Sequence, residues 1–392
     1  MSVRVLVFGV VFLEALTGTV LAADEKPAPA AGDETAKRIA IGTGGGWWRP
    51  GALLQGWWVF DHYDEHEAGG RTIDGTNANQ FRVRRAELFV KGEAIPGTFG
   101  FDVMIDPAKV LETEEKEVEV RDGDGAVIGT TKIKQPAAKL SVFQHMFVTY
   151  MTPWADVSIG QFKIPVSYEG YNSSGRLLFP ERAPVSKAFG DQRDVGLRVA
   201  RTFKYAGYSA GMFNGTGLNV QDTNNAKDLA LRIEAYPFEG LTLAGVAYYS
   251  VGERDEPEGG VRDRFEADLK FERWGFLVQS EYIQSHDTIA DPRNPNAFAE
   301  TDGQGFYVAL GYTIRDTVQP VVRFGQLNPD TSKTKWDLDP KKDTPFARHF
   351  DAGVNWFIQR HEAKLQLAYS RFDYDNAIPT DNQVIFAAQA GY

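Results

Sequence analysis

The stretch "RFEADLKFERW", residues 264–274, alternates without a break. Successive side chains of an extended strand point to opposite sides, so Phe265, Ala267, Leu269 and Phe271 share one face. Arg264, Glu266, Asp268, Lys270 and Glu272 share the other. One face is wholly apolar and the other wholly charged. A single strand of this kind fits many folds, and its recurrence along the chain is what narrows the choice.

The pattern returns in "DLALRIEAY", where Leu229, Leu231, Ile233 and Ala235 oppose Arg232 and Glu234. In "DVGLRVA" Val195, Leu197 and Val199 oppose Asp194 and Arg198, and in "AKLQLAYS" Leu365, Leu367 and Tyr369 oppose Lys364, Gln366 and Ser370. About sixteen such segments can be placed, each roughly the ten residues that a tilted strand needs to cross a bilayer. They start near Leu53, Gln80, Thr98, Lys139, Ala155, Arg193, Tyr205, Lys227, Leu241, Arg262, Gly275, Gly303, Thr317, Phe346, His361 and Asn382. The connections alternate short ("AIPGT", "TPWA", "PFEG", "RWG") and long ("NGTGLNVQDTNN", "HDTIADPRNPNAFAETD"). Short turns on one side and long loops on the other predict an all-β chain folded as a transmembrane antiparallel barrel in the bacterial outer membrane. Closure removes the sheet edges and satisfies every backbone group in lipid.

A barrel also gives the arginines of "NQFRVRRAELFVKG" (Asn79–Gly92) somewhere wet to point. Phe81 and Val83 share one face, whereas Leu88 and Val90 share the other, so the alternation slips between them. A β-bulge at Arg84-Arg85 absorbs the slip and turns both guanidiniums into the lumen. Arg82 and Arg198 join them as candidate ion-binding groups on inward faces. The inward bases (Arg82, Arg84, Arg198, Arg232, Arg264, Lys270, Lys364) are matched by acids (Glu234, Glu266, Asp268, Glu272, Asp351), which predicts weak charge selectivity.

The start of the chain, "MSVRVLVFGVVFLEALTGTVLAADEKPAPAAGDE", reads as a signal peptide over 1–23, followed by a flexible leader over 24–50 and a barrel over 51–392. The last strand, with Val384, Phe386, Ala388, Ala390 and Tyr392 on one face, is the form of signal that barrel-assembly machinery reads. Trp57, Trp58, Trp154, Trp274, Trp336 and Trp356 fall near strand ends, as interfacial girdles require. The chain has no cysteine, which excludes thiol catalysis and cysteine ligation, and a net charge of −11 argues against nucleic acid as a partner.

Three motifs together resemble the phosphate-selective porin O/P family. They are "FRVRRAELFVKGEAIPGTFGFDVMID", "SIGQFKIPVSYE" and "GDQRDVGLRV". The resemblance implies a 16-stranded barrel, usually a homotrimer, narrowed by a third long loop that here is Ile164 to Gln192. It implies lumenal bases that attract phosphate or other small anions, and by motif these are Arg84, Arg85, Lys163 and Arg193. The function expected is an outer-membrane porin passing ions and small hydrophilic solutes by passive diffusion. Lipid and lipopolysaccharide are its expected surroundings. The alternative is a plugged barrel acting as a surface adhesin or receptor through its long loops.

Enzymatic readings are weak. "GYSAG" (Gly207–Gly211) has the spacing of a nucleophile elbow, but that motif needs a strand-to-helix turn and this one lies in an alternating segment. "GTGGGW" (Gly42–Trp47) has no helix after it and reads as a flexible lead-in to the first strand. Asp61, His62, Asp64, His66 and Glu67 are cation ligands by residue type and read as a solvated loop. No catalytic residue, metal or cofactor is expected.

Overall fold

The computed structural model describes residues 38–391, apart from 42–43, 64–65, 69–70, 74–75, 112, 122–126, 137–141, 223, 251–260, 292–293, 332–346 and 375–379. Among the described residues, sixteen antiparallel strands close into one barrel. They are β1 (Gly46–Tyr63), β2 (Thr76–Ile95), β3 (Phe99–Ile105), β4 (Phe143–Met151), β5 (Asp156–Lys163), β6 (Arg193–Thr202), β7 (Ala206–Phe213) and β8 (Asp228–Ala235). Then come β9 (Leu241–Ser250), β10 (Arg262–Arg273), β11 (Phe276–Asp291), β12 (Asn294–Tyr312), β13 (Val318–Asn328), β14 (Ala347–Gln359), β15 (Ala363–Tyr374) and β16 (Asp381–Gly391). Each pairs with its neighbour in sequence, and β16 returns to β1 in the register Leu53↔Gly391 to Tyr63↔Asp381.

Burial follows the alternation in the sense a membrane demands. On β10, Phe265 is exposed while Arg264, Glu266 and Asp268 are buried. On β8, Leu229, Leu231 and Ile233 are exposed around a fully buried Arg232. Apolar side chains thus face outward along the wall, and the polar ones face a filled interior. This arrangement is stable only where the outside is lipid.

The bulge predicted at Arg84-Arg85 is present. Gln55 pairs with Arg85 and Gly56 with Val83, so Arg84 is the extra residue. Before it, Phe81 and Val83 face out; after it, Leu88 faces out and Arg85 and Glu87 are buried. Gly160, in the "GQFK" motif on β5, has a physical reason to be glycine. Its φ is +135°, and a Cβ there would lie 2.2 Å from the Met146 carbonyl oxygen of β4.

Several expectations need correction. The first strand starts at Gly46 rather than Leu53, and the twelfth at Asn294 rather than Gly303. At the first, Gly44-Gly45 forms a turn that lets Ile39–Ile41 pair with Gly46–Trp48. The described part of "GTGGGW", Gly44 to Trp47, is therefore part of a hairpin, and residues 46–50 belong to the barrel. At the twelfth, β11 and β12 keep pairing past His286↔Asp302 as far as Asp291↔Asn294, so most of the expected long loop is a tall hairpin. Trp57 does not join an outer girdle: it is buried on the inner side with Val59, Ile385 and Ala387, one residue out of phase with the exposed Trp58. Trp154 and Trp274 do lie exposed in short turns, and Trp356 is exposed near the end of its strand. Trp336 and Tyr392 lie outside the described residues.

Candidate functional site

The third long loop, between Lys163 and Arg193, folds into the barrel. It carries two short helices, α1 (Tyr168–Tyr171) and α2 (Pro184–Phe189), and a 3-10 turn at Ser174–Arg176. The sequence marks this loop by apolar residues that a solvent loop would not need. Leu178, Phe179, Ala183, Val185 and Phe189 pack with Ile283, Tyr307 and Val321 of the inner wall.

Polar anchors fix the rest of its course. Inward carboxylates receive loop donors: Ser167 N reaches Glu266 at 2.6 Å, and Ser186 Oγ reaches Glu281 at 3.0 Å. Inward amides and a lysine reach loop carbonyls: Asn355 Nδ2 and Gln366 Nε2 donate to Leu178 O at 3.0 and 3.2 Å, and Lys364 Nζ donates to Leu177 O at 2.8 Å. Gln389 Nε2 donates to Gly175 O at 3.0 Å, and Ser174 Oγ to Glu87 at 2.6 Å. The loop therefore covers the wall from β10 round to β2. Buried polar groups of this kind are satisfied by loop backbone instead of water.

At its far side the loop meets the bulge. Arg84 Nε and Nη2 both donate to Glu181 Oε2, at 3.1 and 2.9 Å, and Arg85 Nη2 lies 3.7 Å from Glu181 Oε1. Arg85 Nη1 also donates to Gln55 at 2.6 Å. Lys187 Nζ, half exposed, lies 3.8 Å from the same carboxylate. Burial alone would raise the Glu181 carboxyl, but Lys187, Arg84 and Arg85 outweigh it and hold it below the usual carboxylate range. Arg82 is exposed, and its guanidinium carbon stands 5.2 Å from the centre of the Trp57 ring. Four basic side chains thus stand around Glu181, with the buried Glu87 4.0 Å from Arg85 Nε as a second acid.

The six predicted ion-binding residues separate into groups. Arg82, Arg84 and Arg85 gather at the contact between bulge and loop. Lys163 and Arg193 pair across β5 and β6 at the root of the loop. There the Lys163 ammonium donates to the carbonyls of Gly170 at 2.6 Å and Asn172 at 2.5 Å, so it clamps the loop. Arg198 sits apart, its guanidinium carbon 4.6 Å from the Phe162 ring centre. Sequence reasoning missed Glu181, Arg182 and Lys187. Arg182 Nη1 holds Asp191 at 2.9 Å. The signal available was their density in the segment "ERAPVSK" of a loop already expected to fold inward.

The loop and the wall ion pairs cover inward charges of both signs. Of the acids counted as lumenal, the Glu266 and Asp268 side chains are 0% exposed and Asp351 is 1%, whereas Glu234 is 25% and Glu272 53% exposed, and of the bases Arg232, Arg264 and Lys364 are buried. Arg232 binds Asp268 at 2.8 Å, and Arg323 binds Asp351 at 2.7 Å and Glu169 at 3.3 Å. By contrast the Lys187 side chain is 52% exposed and Arg84 21%. Beside Glu181, itself 21% exposed, the accessible groups Arg84 and Lys187 are basic.

The comparisons with known proteins agree with this geometry. Residues 61–255 match the family described as phosphate-selective porin O and P. A structure of Salmonella typhi OmpF in complex with daunomycin is similar at 13% identity and a TM-score of 0.60, covering 90% of this chain and 100% of that one. The outer-membrane channel DcaP of Acinetobacter baumannii is similar at 11% identity and 0.60, with coverage of 90% and 100%. An anion-selective porin from Comamonas acidovorans is similar at 9% and 0.55, with 88% and 100% covered. At these identities the structures speak for the fold alone. No curated protein matches the chain. The family match does not favour the adhesin alternative. The chain is an outer-membrane porin whose residues 61–255 match the phosphate-selective porin O and P family.

Proposed function

We propose that this porin passes small hydrophilic solutes with a preference for small anions, phosphate among them. The observation that carries the reading is the Glu181 carboxylate set among Arg82, Arg84, Arg85 and Lys187, with Arg82 and Lys187 reaching water. Charges lining a narrow passage act at short range with little screening, so an uncompensated basic group there raises the local concentration of anions. Arg82 and Lys187 supply the accessible charge. Arg84 and Arg85 tie the loop to the wall and contribute through the net sign of the cluster. Lys163 and Arg193 act by holding the root of the loop, and Arg198 contributes positive potential on the opposite wall.

The chain is proposed to work as a homotrimer embedded in lipid and lipopolysaccharide, delivered by barrel-assembly machinery through its last strand. A leader peptide over 1–23 is part of the same proposal, as is the absence of catalysis and of any cofactor. The test is single-channel chloride current through the refolded chain as phosphate is added. Phosphate should reduce the current, and Arg82→Ala together with Lys187→Ala should abolish the reduction. A chloride current indifferent to phosphate in the parent protein removes phosphate from the proposal.

A further inference from the structure

A separate cavity of about 280 Å³ opens on the long-loop side of the barrel, at the root of the third loop. Arg193 and Asp194 line it from β6, Asp191 from the end of the loop, Tyr248 and Arg262 from β9 and β10 further along the wall, and Gly215 from the connection after β7. Arg262 Nη2 donates to Gly215 O and lies 4.0 Å from Asp228. It is distinct from the cluster around Glu181. A water occupies about 30 Å³ of liquid volume, so the space fits one small solute or several waters.

Two charged atoms here lack hydrogen-bond partners among the described residues. Arg193 Nε is buried and donates to nothing, although the Arg193 side chain is only 10% exposed. Asp191 Oδ1 is buried and accepts nothing, standing 4.0 Å from Arg193 Nη1 and 4.0 Å from Lys163 Nζ. Its other oxygen is taken by Arg182 at 2.9 Å. Asp194 is held by the backbone N–H groups of Val195 at 2.7 Å and Gly215 at 2.6 Å, which keeps its charge at the cavity wall. Gly215 has φ +81°, and a Cβ there would approach Asp228 Oδ2 to 3.0 Å, so the wall stays bare at this point. A buried donor and a buried acceptor left unpaired are destabilising unless a partner fills the space between them.

The signs of the lining choose the partner. A phosphate would satisfy Arg193 and meet Asp191 and Asp194. A simple cation would satisfy the acids and meet Arg193 and Arg262. A molecule with an anionic acceptor and a cationic donor a few ångströms apart answers both. We propose that this cavity binds a small zwitterion of the α-amino-acid type, its carboxylate on Arg193 and Arg262 and its ammonium on Asp191. The site stands independently of the anion preference at Glu181.

The experiment is calorimetric titration of the refolded full chain in detergent with L-alanine, and with acetate, methylammonium and phosphate as single-sign comparators. L-alanine should bind saturably, and each comparator at least tenfold more weakly. Arg193→Gln and Asp191→Asn should each weaken L-alanine at least tenfold. Arg262→Gln, on β10 and outside the loop, should also weaken it, and it decides the matter if the first two variants disturb the loop. Lys187→Ala should leave L-alanine binding unchanged. No saturable binding of L-alanine, phosphate binding as tightly as L-alanine, or Arg262→Gln binding like the parent would each overturn the proposal.

Discussion

Arg84 and Glu181 join two parts of the chain that are almost a hundred residues apart, through paired hydrogen bonds of 3.1 and 2.9 Å to one carboxylate oxygen. The bulge on β2 supplies the guanidinium, and the third loop supplies the acid. The contact ties the loop to the bulge and places its acid among the bases of β2. Removing the acid should leave the bases uncompensated. Glu181→Gln is expected to shift the zero-current potential in a KCl gradient toward greater anion preference. A shift toward cations would show that Glu181 is not the acid the channel senses.

The same carboxylate gives a pH prediction. Its pKa is depressed by Lys187, Arg84 and Arg85 against the opposing effect of burial. A depressed acid contributes stability that is present above its unfolded value and is lost only as pH falls through the folded value. Loop attachment through Glu181 should therefore survive acidification from pH 7 to about 4, below the ordinary carboxylate range. Limited proteolysis at the loop, followed against pH, checks this: a loop that becomes cleavable near pH 5 contradicts it.

Loop position also depends on amides that hold carbonyls. Asn355 donates to Leu178 O at 3.0 Å and to Gln319 Oε1 at 3.0 Å, and it is 2% exposed. Asn355→Leu takes one of two donors from Leu178 O, which keeps Gln366, and removes the donor to the buried Gln319 Oε1, at a cost of about 1–3 kcal/mol. The loop should loosen from the wall, and single-channel conductance should become noisier while the barrel still migrates as a folded species. Unchanged current noise would remove Asn355 from the anchoring set.

The wall ion pairs make a harsher prediction. Arg323 lies between Asp351 and Glu169, and its loss strands two buried acids. Breaking a buried pair from one side costs about 3–5 kcal/mol. Arg323→Met should lower the temperature at which the barrel loses its folded gel mobility. Restoring balance with Arg323→Met and Asp351→Leu together should recover part of the loss.

The two-faced reading of the strands is tested from the lipid side. Leu231 is exposed on the outer face in the middle of β8, and its neighbour Arg232 is buried. Leu231→Arg should destabilise the barrel in lipid by about 2–4 kcal/mol if it sits near the midplane. Leu231→Val should have little effect. A neutral Leu231→Arg would mean that this face does not meet hydrocarbon.

Much of the fold was legible because alternation survives any reasonable error in strand ends. Arg264 to Trp274 shows both faces without help from tertiary structure, and the slip between Val83 and Leu88 located the bulge by parity alone. The tall hairpin of β11 and β12 was missed because "DPRNPN" carries prolines and asparagines that read as loop, whereas backbone pairing continues to the tip. Trp57 was misplaced because Trp57-Trp58 puts one indole on each face and composition cannot say which side each takes. The site was legible in its positive half. Arg82, Arg84 and Arg85 stood out in a strand, but Glu181 and Lys187 depend on how a loop of nearly thirty residues folds back, which no periodicity encodes. The covering of Glu266 and Asp268 by that loop was equally hidden.

The most direct test of the account is the zero-current potential of the refolded chain in a planar bilayer across a KCl gradient, read with and without phosphate. The account predicts a potential of the sign set by chloride passing faster than potassium, and a reduced current when phosphate is added. A potential of the opposite sign, with current unaffected by phosphate, would contradict the claim that the basic cluster around Glu181 governs passage.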